Sequence, residues 1–435
     1  MCSSDLRRSM KAQVIGDRQD WATLDAPKLI LDSLFTDERF KRSVLEEWQV
    51  YSALPDKPLL KLAQDIFKRP DVDVWDLFPF VALIQLMLHK RQQAGDEVSD
   101  KVDAVNQLLR RINVELKRYH TGDKPNPEAV FWPDPTRDRH SQSIYEVLPY
   151  VRNHGLVTKK TPVGSAGSCF AIEIAANLQE RGYNYVVTEK FCNEDKSVFY
   201  PDFRDESRPM FSANWGILFN APSFMQVAER AFGEKKFPHL LIRLGQYLTD
   251  PFREQVMFTS PEAYEQDYEA HTAASREALL RSEVFIVTMG LNECWQFVAD
   301  GSFLHRNPLH NDLYAAIKHR TLTVDENVQY LQRFIDIVRA HNSKFKVIVS
   351  LSPIPFLATG RAHEHHVITA NAHSKAVQRV AAEKLCEQNK DVYYLPSYEV
   401  VTHCVRDAWE NDQRHVKRST VDRVMELFDK MFVVA

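Results

Sequence analysis

The 435-residue sequence has no uninterrupted apolar run of about 18 residues, the length that a membrane-spanning helix needs. Its first residues also lack the apolar core of a secretory signal peptide. The six cysteines include no Cys-x-x-Cys pair, a pattern that favours separate reduced thiols over a disulfide framework. Together these absences predict a cytoplasmic protein without a membrane partner.

The chain also lacks a strong excess of charge of either sign. Its formal net charge is −4 at pH 7 and its pI is about 6.5, so the composition gives no sign of a nucleic-acid partner or of binding to an anionic membrane. Hydrophobic residues at 44% and charged residues at 26% are ordinary for a globular protein. At this length we expect two or more domains.

Residues 1–130 contain no recognisable catalytic constellation and have mainly helical patterns. An apolar segment at 77–88 is followed by apolar residues at alternating spacings of four and three, which are Val98, Val102, Val105, Leu109, Ile112, Leu116 and Tyr119. This heptad pattern has two interpretations: an amphipathic helix that packs on the preceding segment, or a seam that forms a homodimer. We expect a helical accessory region at 1–130. Turn-forming residues then predict a linker and lead-in at 131–160.

Residues 161–435 alternate short apolar runs with helical patterns. The predicted strands are a first one ending at Ser168, then Tyr183–Val187, Val284–Met289, Lys346–Leu351 and Val392–Leu395. Continuous apolar strands that alternate with helices predict a parallel sheet covered on both faces. We expect a three-layer α/β domain with five parallel strands in the flavodoxin-like order 2-1-3-4-5. Ligands bind such sheets at the carboxyl ends of the strands.

Ser168 lies where the first strand is predicted to turn sharply into a helix. Gly164 and Gly167 allow a tight backbone there, and the start of the helix directs free N–H groups at whatever binds. A serine in this position is a candidate nucleophile, with its own N–H as an oxyanion donor. Serine is also a common helix N-cap, so this stretch by itself leaves both roles open.

The five residues Gly167-Ser168-Cys169-Phe170-Ala171 spell the signature of the GSCFA family, which resembles the SGNH or GDSL-like hydrolases. Further blocks of that pattern follow in order, and the resemblance covers about 162–432. They are the glycine-centred loop at 214–220, Gly290-Leu291-Asn292-Glu293, Ser352-Pro353 with Ser374-Lys375, Tyr394 to Glu399, and Asp412-x-x-His415.

The resemblance implies an SGNH-type fold and acyl transfer by a serine esterase or O-acyltransferase, without a metal or other cofactor. Ser168 would be the nucleophile and His415 the base, while Asp412 would hold one imidazole nitrogen and leave the other facing the serine. The N–H groups of Ser168 and Gly216 and the side-chain amide of Asn292 would form the oxyanion hole. The implied substrate is an acyl ester, of a small molecule or of a carbohydrate or glycan.

An alternative is a catalytically inactive module that keeps the fold and binds a glycan or protein partner. Glu293 stands where SGNH hydrolases carry aspartate, which leaves room for that reading. Cys169 is a rival nucleophile, although adjacent side chains point in different directions and a core contact is expected for it. The His363-Glu364-His365-His366 run lacks the spacing of a helical zinc motif, and we expect a loop there rather than a metal site.

Overall fold

The computed structural model divides the chain into two compact units, Met1–Ser143 and Ile144–Ala435. The division falls within the predicted linker and lead-in at 131–160. The structure describes residues 28, 31–32, 35–52, 78–116, 120–121, 124–125, 130, 132–135, 142–190, 192–200, 209–253, 255–305 and 313–434. The first residues of the chain and Tyr119 lie outside the described residues, as do the side chains of Ile112 and Leu116.

The described part of the first unit is mainly helical. Its elements are α1 (Glu38–Ser52), α2 (Phe78–Gln93), α3 (Ser99–Leu116) and a two-stranded pair, β1 (His120–Thr121) and β2 (Lys124–Pro125). The helices α2 and α3 pack together, and Ile84 and Leu88 of α2 are buried. The described members of the heptad pattern, at the start of α3 and along it, are buried as well, namely Val98, Val102, Val105 and Leu109. This stripe is covered within one chain, as the packed-helix interpretation requires.

The second unit contains the remaining elements. Its strands are β3 (Val163–Gly167), β4 (Val198–Phe199), β5 (Ile242–Leu244), β6 (Tyr247–Thr249), β7 (Met257–Phe258), β8 (Val284–Met289), β9 (Glu293–Phe297), β10 (Ile317–Thr321), β11 (Lys346–Leu351) and β12 (Val392–Leu395). Its α-helices are α4 (Cys169–Glu180), α5 (Ala221–Phe232), α6 (Pro261–Arg281), α7 (Val324–His341), α8 (Val367–Gln388), α9 (Ser397–His403) and α10 (Arg418–Phe432).

The central sheet of the second unit has four strands, all parallel, in the order β12-β11-β8-β3. Along β8, Phe285 and Val287 join the core on one face and Val284 and Ile286 join the core on the other. Helices α5, α7 and α8 contribute to the first core, and α4 and α10 to the second. Because β8 is buried along its whole length, the unit is a three-layer α/β fold.

The predicted strand at Tyr183–Val187 is not a strand in the structure. Only Tyr185 forms a bridge, and it pairs with Val163. Further along β3, the Oγ of Ser212 accepts the N–H of Ser165 at 3.0 Å, and the N–H of Ser212 donates to the Ser165 carbonyl at 3.3 Å. The predicted segment bonds Val163 through Asn184 and Val186, while Ser212 takes the backbone groups of Ser165. Because two segments share this edge of β3, the described sheet has four strands rather than the predicted five.

Two antiparallel sheets flank the central one, with the orders β4-β7-β6-β5 and β10-β9. The pair β9 and β10 matters for the site, because β9 begins directly after Asn292 and the Leu322 N–H donates to the Asn292 carbonyl at 2.8 Å. A capping box formed by Thr323 and Glu326 stands at the start of α7. No helix in the described part of the chain combines the length and the apolar character that crossing a membrane requires.

Candidate active site

Ser168 occupies the turn between β3 and α4. It stands at the N-cap position with extended backbone, but its side chain makes none of the capping hydrogen bonds that the N-cap interpretation predicts. The residue is only 2% exposed, and its Oγ has no hydrogen-bond partner among the described residues. A buried hydroxyl without a hydrogen-bond partner lowers the stability of the fold. Its presence therefore calls for a reason other than stability, and a function is one such reason.

The ends of β3 and β8 come together at this serine. Gly167 has a φ of +152°, and a Cβ atom there would lie 2.5 Å from the Thr288 carbonyl oxygen. A Cβ on Gly290 would lie 3.3 Å from the Cβ of Ser168. The Ser168 N–H donates to the Thr288 carbonyl at 3.2 Å, so this expected oxyanion donor already has an acceptor within the protein.

Gly216 lies in the loop between β4 and α5. Its φ of +70° is in the left-handed region that glycine tolerates, and it is buried. Within the described residues its N–H has no acceptor. The loop is tied to the nucleophile turn, because the Leu218 N–H donates to the Gly167 carbonyl at 2.9 Å. Gly216 therefore has an N–H without an acceptor in the described part of the chain, on a loop bonded to the residue before Ser168.

A buried charged network is hydrogen-bonded to this loop at Asn214. The Glu189 carboxylate accepts the Asn214 N–H at 2.7 Å, and the Arg253 guanidinium donates to the Asn214 carbonyl at 3.2 Å. His271 Nδ1 lies 2.8 Å from the same carboxylate. Burial by itself would raise the pKa of Glu189, but His271, Arg253 and the Asn214 N–H together lower it to about 2. The loop that carries Gly216 therefore rests on a carboxylate that stays ionised at neutral pH.

Part of this network has the connectivity of a Ser-His-acid triad. His271 contacts Glu189 through Nδ1, and its Nε2 lies 3.4 Å from the Ser275 Oγ. That hydroxyl also accepts the indole N–H of Trp215 at 2.7 Å, and the adjoining cavity measures only about 10 Å³. Such a space holds at most a water molecule, so Ser275 has a structural role. The spacing of His271 and Ser275 along α6 does not reveal Glu189, which lies far earlier in the chain, so no local sequence pattern indicates this network.

Asn292 is fully buried at the carboxyl end of β8. Its Nδ2 donates to the Leu322 carbonyl at 3.1 Å, and its backbone N–H donates to the Ser374 Oγ at 3.0 Å. The side-chain amide has two N–H donors, and the second has no acceptor within the described residues. The orientation of the amide is thus held by one bond while one donor stays available.

Asp412 and His415 lie on the turn before α10, where the structure brings them together as the spacing predicts. The Asp412 carboxylate contacts His415 Nδ1 and accepts the backbone N–H groups of Arg414 and His415 at 3.0 and 2.9 Å. The backbone N–H groups of His415 and Arg414, with the His415 ring, hold the pKa of Asp412 well below its usual range. Gln413 adopts a left-handed φ of +56° that allows the tight turn.

A cleft of about 790 Å³ lies beside this pair and beside the first residues of α4. Its lining includes Asp412, His415 and Cys169, the residue after Ser168. Ser168 Oγ and the His415 ring form no hydrogen bond in the structure. The fold therefore places His415 and the start of α4 on the same cleft without joining the ring to the serine.

Residues 162–428 match the GSCFA family, and this stretch is more than half of the chain. The chain belongs to the GSCFA family. No curated protein matches it. A carbohydrate esterase family 3 structure from Talaromyces cellulolyticus is similar at 10% sequence identity and a TM-score of 0.28, covering 62% of this chain and 94% of that chain. A likeness this small does not bear on the fold or the function.

Glu293 of this GSCFA protein is an anchor for a neighbouring turn. Its buried carboxylate accepts the Thr359 hydroxyl at 2.7 Å, the Gly360 N–H at 2.9 Å and the Arg361 Nε–H at 3.0 Å. Burial would raise the pKa of Glu293, but His319 and the three donors lower it to about 2. The carboxylate beside Asn292 therefore fixes the segment at 359–361.

Cys169 and the histidine-rich run at 363–366 can also be located in the structure. Cys169 is half-buried, packs against the main core and also lines the cleft, so a thiol stands close to Ser168. His363 to His366 lie on a turn before α8, where His366 Nδ1 accepts the Ile368 N–H at 3.3 Å. Among the described residues, no group of three or more His, Cys, Asp or Glu side chains is placed to hold a metal ion.

Proposed function

We propose that this GSCFA protein is a serine esterase or O-acyltransferase of SGNH type. The observation that carries the proposal is the buried Ser168 Oγ, which has no partner among the described residues and lies at the carboxyl end of β3. Gly216 with an unengaged N–H and Asn292 with an available amide donor belong to segments bonded to the same turn or packed beside it. These are the parts that acyl transfer by a serine requires.

In the proposed mechanism, Ser168 Oγ attacks the carbonyl carbon of an ester while the Nε2 of His415 takes the hydroxyl proton. Nδ1 is held by Asp412, which stabilises the imidazolium that forms. The oxyanion accepts hydrogen bonds from Gly216 and Asn292, and from Ser168 if its N–H leaves the Thr288 carbonyl. The imidazolium then protonates the departing alkoxide, and water or a hydroxyl acceptor attacks the acyl-enzyme by the same route in reverse.

The substrate that we propose is an acyl ester of a polar alcohol, with a carbohydrate or glycan as the class. The cleft has apolar side chains such as Ile172 and Ile217 for an acyl group, together with the charged side chains of Glu173 and Arg418 for a hydroxyl-rich partner. The cytoplasmic location and a homodimer through the helical region remain predictions.

A binding module without turnover is the second candidate. Two observations favour it: Ser168 Oγ does not hydrogen bond to His415, and the Ser168 N–H already donates to the Thr288 carbonyl. In this reading the cleft binds a glycan or protein partner and releases it unchanged.

The test is hydrolysis of p-nitrophenyl acetate by the full chain, combined with labelling by a fluorophosphonate probe. We expect turnover and a label on Ser168 that Ser168→Ala removes and Cys169→Ser retains. A label that persists in Ser168→Ala and disappears in Cys169→Ser would move the nucleophile to Cys169. If the wild-type protein shows neither turnover nor label, the esterase proposal is refuted and the binding module is the candidate function that remains.

A further inference from the structure

The neighbouring residues Ser374 and Lys375 on α8 are both fully buried. The Ser374 Oγ accepts the Asn292 N–H at 3.0 Å. The Lys375 ammonium donates to the Gly290 carbonyl at 2.8 Å and to the Ile354 carbonyl at 3.0 Å. Two successive side chains of one helix thus hold both ends of the short turn Gly290–Asn292.

This turn lies against the nucleophile. A Cβ on Gly290 would be 3.3 Å from the Cβ of Ser168 and 3.2 Å from the Phe219 carbonyl oxygen. That carbonyl accepts the N–H groups of Gly290 and Leu291 at 2.9 and 2.7 Å, so the turn is fixed from two sides. Ile354 lines the cleft. Lys375 therefore connects the backbone beside Ser168 to the wall of the cleft.

A buried lysine is a costly way to make these two bonds. Lys375 forms no ion pair with a carboxylate of the described residues, and burial lowers its pKa to about 7. Desolvating an ammonium group opposes folding. A lysine kept at such a position therefore indicates that its two hydrogen bonds serve another purpose. Backbone carbonyls at the end of a parallel sheet are the parts of the site that need fixed positions.

We infer that Ser374 and Lys375 are positioning residues, which set the Gly290–Asn292 turn and the Ile354 segment relative to Ser168. The inference rests on the proposed function, since it assigns these residues to the same site. They act through backbone groups and contact no substrate. Their loss shifts the Asn292 donor and the space beside Ser168, and a displacement of about 1 Å can lower a rate by about 10²-fold.

The experiment compares Lys375→Met, Ser374→Ala and the control Lys384→Met in the full chain. Lys384 is on the same helix but only partly buried, and its ammonium pairs with Asp325 at 2.6 Å. We expect Lys375→Met and Ser374→Ala to lower kcat for p-nitrophenyl acetate and the rate of fluorophosphonate labelling by about 10–100-fold, with KM within about threefold. Lys384→Met should match the wild type in all three.

Hydrogen exchange of the backbone N–H of Asn292 provides a readout that needs no catalysis. In Ser374→Ala this amide loses its acceptor, and its exchange should become at least about tenfold faster while amides of α10 stay protected. If Lys375→Met fails to fold, the kinetics and the Asn292 exchange of Ser374→Ala decide whether the positioning role is correct.

Two outcomes separate the inference from the proposed function. Wild-type kcat and wild-type exchange of Asn292 in Ser374→Ala would overturn the positioning role. A wild-type protein that neither turns over nor labels would refute the proposed function, and the exchange of Asn292 would then still decide whether Ser374 holds the turn.

Discussion

The Asp412 carboxylate accepts the backbone N–H of His415 at 2.9 Å and contacts the Nδ1 atom of the same ring. Nε2 is therefore the nitrogen of His415 that remains for proton transfer. Both side chains are close to half exposed, at 45% and 46%, on the wall of the cleft. Among the described residues Nε2 has no hydrogen-bond partner, and a nitrogen in that state is what the proposed role as a general base needs.

If Ser168, His415 and Asp412 act as a unit, their variants should not be additive. Ser168→Ala and His415→Ala are each expected to lower kcat for p-nitrophenyl acetate by at least about 10³-fold, and the double variant to be little worse than either. Asp412→Ala should be milder, because it orients and stabilises His415 without transferring the proton. Losses that multiply in the double variant would contradict a shared proton-transfer step.

Asn292→Ala removes the side-chain donor at the end of β8. We expect kcat to fall by about 10²–10³-fold with a small change in KM, because the donor would act on charge that develops in the transition state. Asn184→Ala is the matched control, since its exposed amide also donates to a backbone carbonyl, that of Lys160 at 2.9 Å. Equal kinetics of Asn292→Ala and Asn184→Ala would reduce Asn292 to a turn residue.

Gly167→Ala tests the close approach of β3 and β8. The new Cβ would lie 2.5 Å from the Thr288 carbonyl oxygen, and the φ of +152° is unfavourable for alanine. We expect the free energy of unfolding in urea to fall by about 3 kcal/mol or more. Gly155→Ala has a φ of +60° and open space around the new atom, so it should cost only about 1 kcal/mol. Similar costs for both variants would exclude crowding at Gly167.

Lys375 predicts a pH dependence of stability. Its pKa is about 7 in the folded protein, below its ordinary value of 10.5, so between these values the unfolded chain binds a proton that the folded protein does not. Falling pH in this window therefore favours unfolding, and rising pH increases stability. We expect wild type to gain up to about 1.4 kcal/mol per pH unit relative to Lys375→Met between pH 7 and 10.

Urea unfolding at several pH values measures this difference. A constant offset between wild type and Lys375→Met reports lost hydrogen bonds or packing, whereas a pH-dependent difference reports the buried amine. Lys384→Met should show no such slope against wild type. A difference that stays constant from pH 7 to 10 would mean that Lys375 takes its proton equally in both states.

The buried strands could be read from local sequence. The predicted bounds Val284–Met289, Lys346–Leu351 and Val392–Leu395 are those of β8, β11 and β12. Each is a short run rich in apolar residues, which is the pattern of a strand covered on both faces. The same reasoning failed at Tyr183–Val187, because this segment bonds β3 at Val163 while Ser212, from another segment, takes the backbone groups of Ser165. Strands of two or three residues, such as β4 and β7, are too short to show a period.

Sequence by itself determined the family blocks, the turn at Ser168 and the Asp412–His415 pair, because each depends on residues within a few positions of one another. Tertiary structure alone decided what surrounds them. Glu189 and Asn214, or Lys375 and Gly290, lie tens of residues apart, and only packing of the sheet and helices brings them within hydrogen-bond distance. Tertiary structure also left Ser168 and His415 without a mutual hydrogen bond, since the side-chain rotamers of two residues far apart in sequence are not encoded in any local pattern.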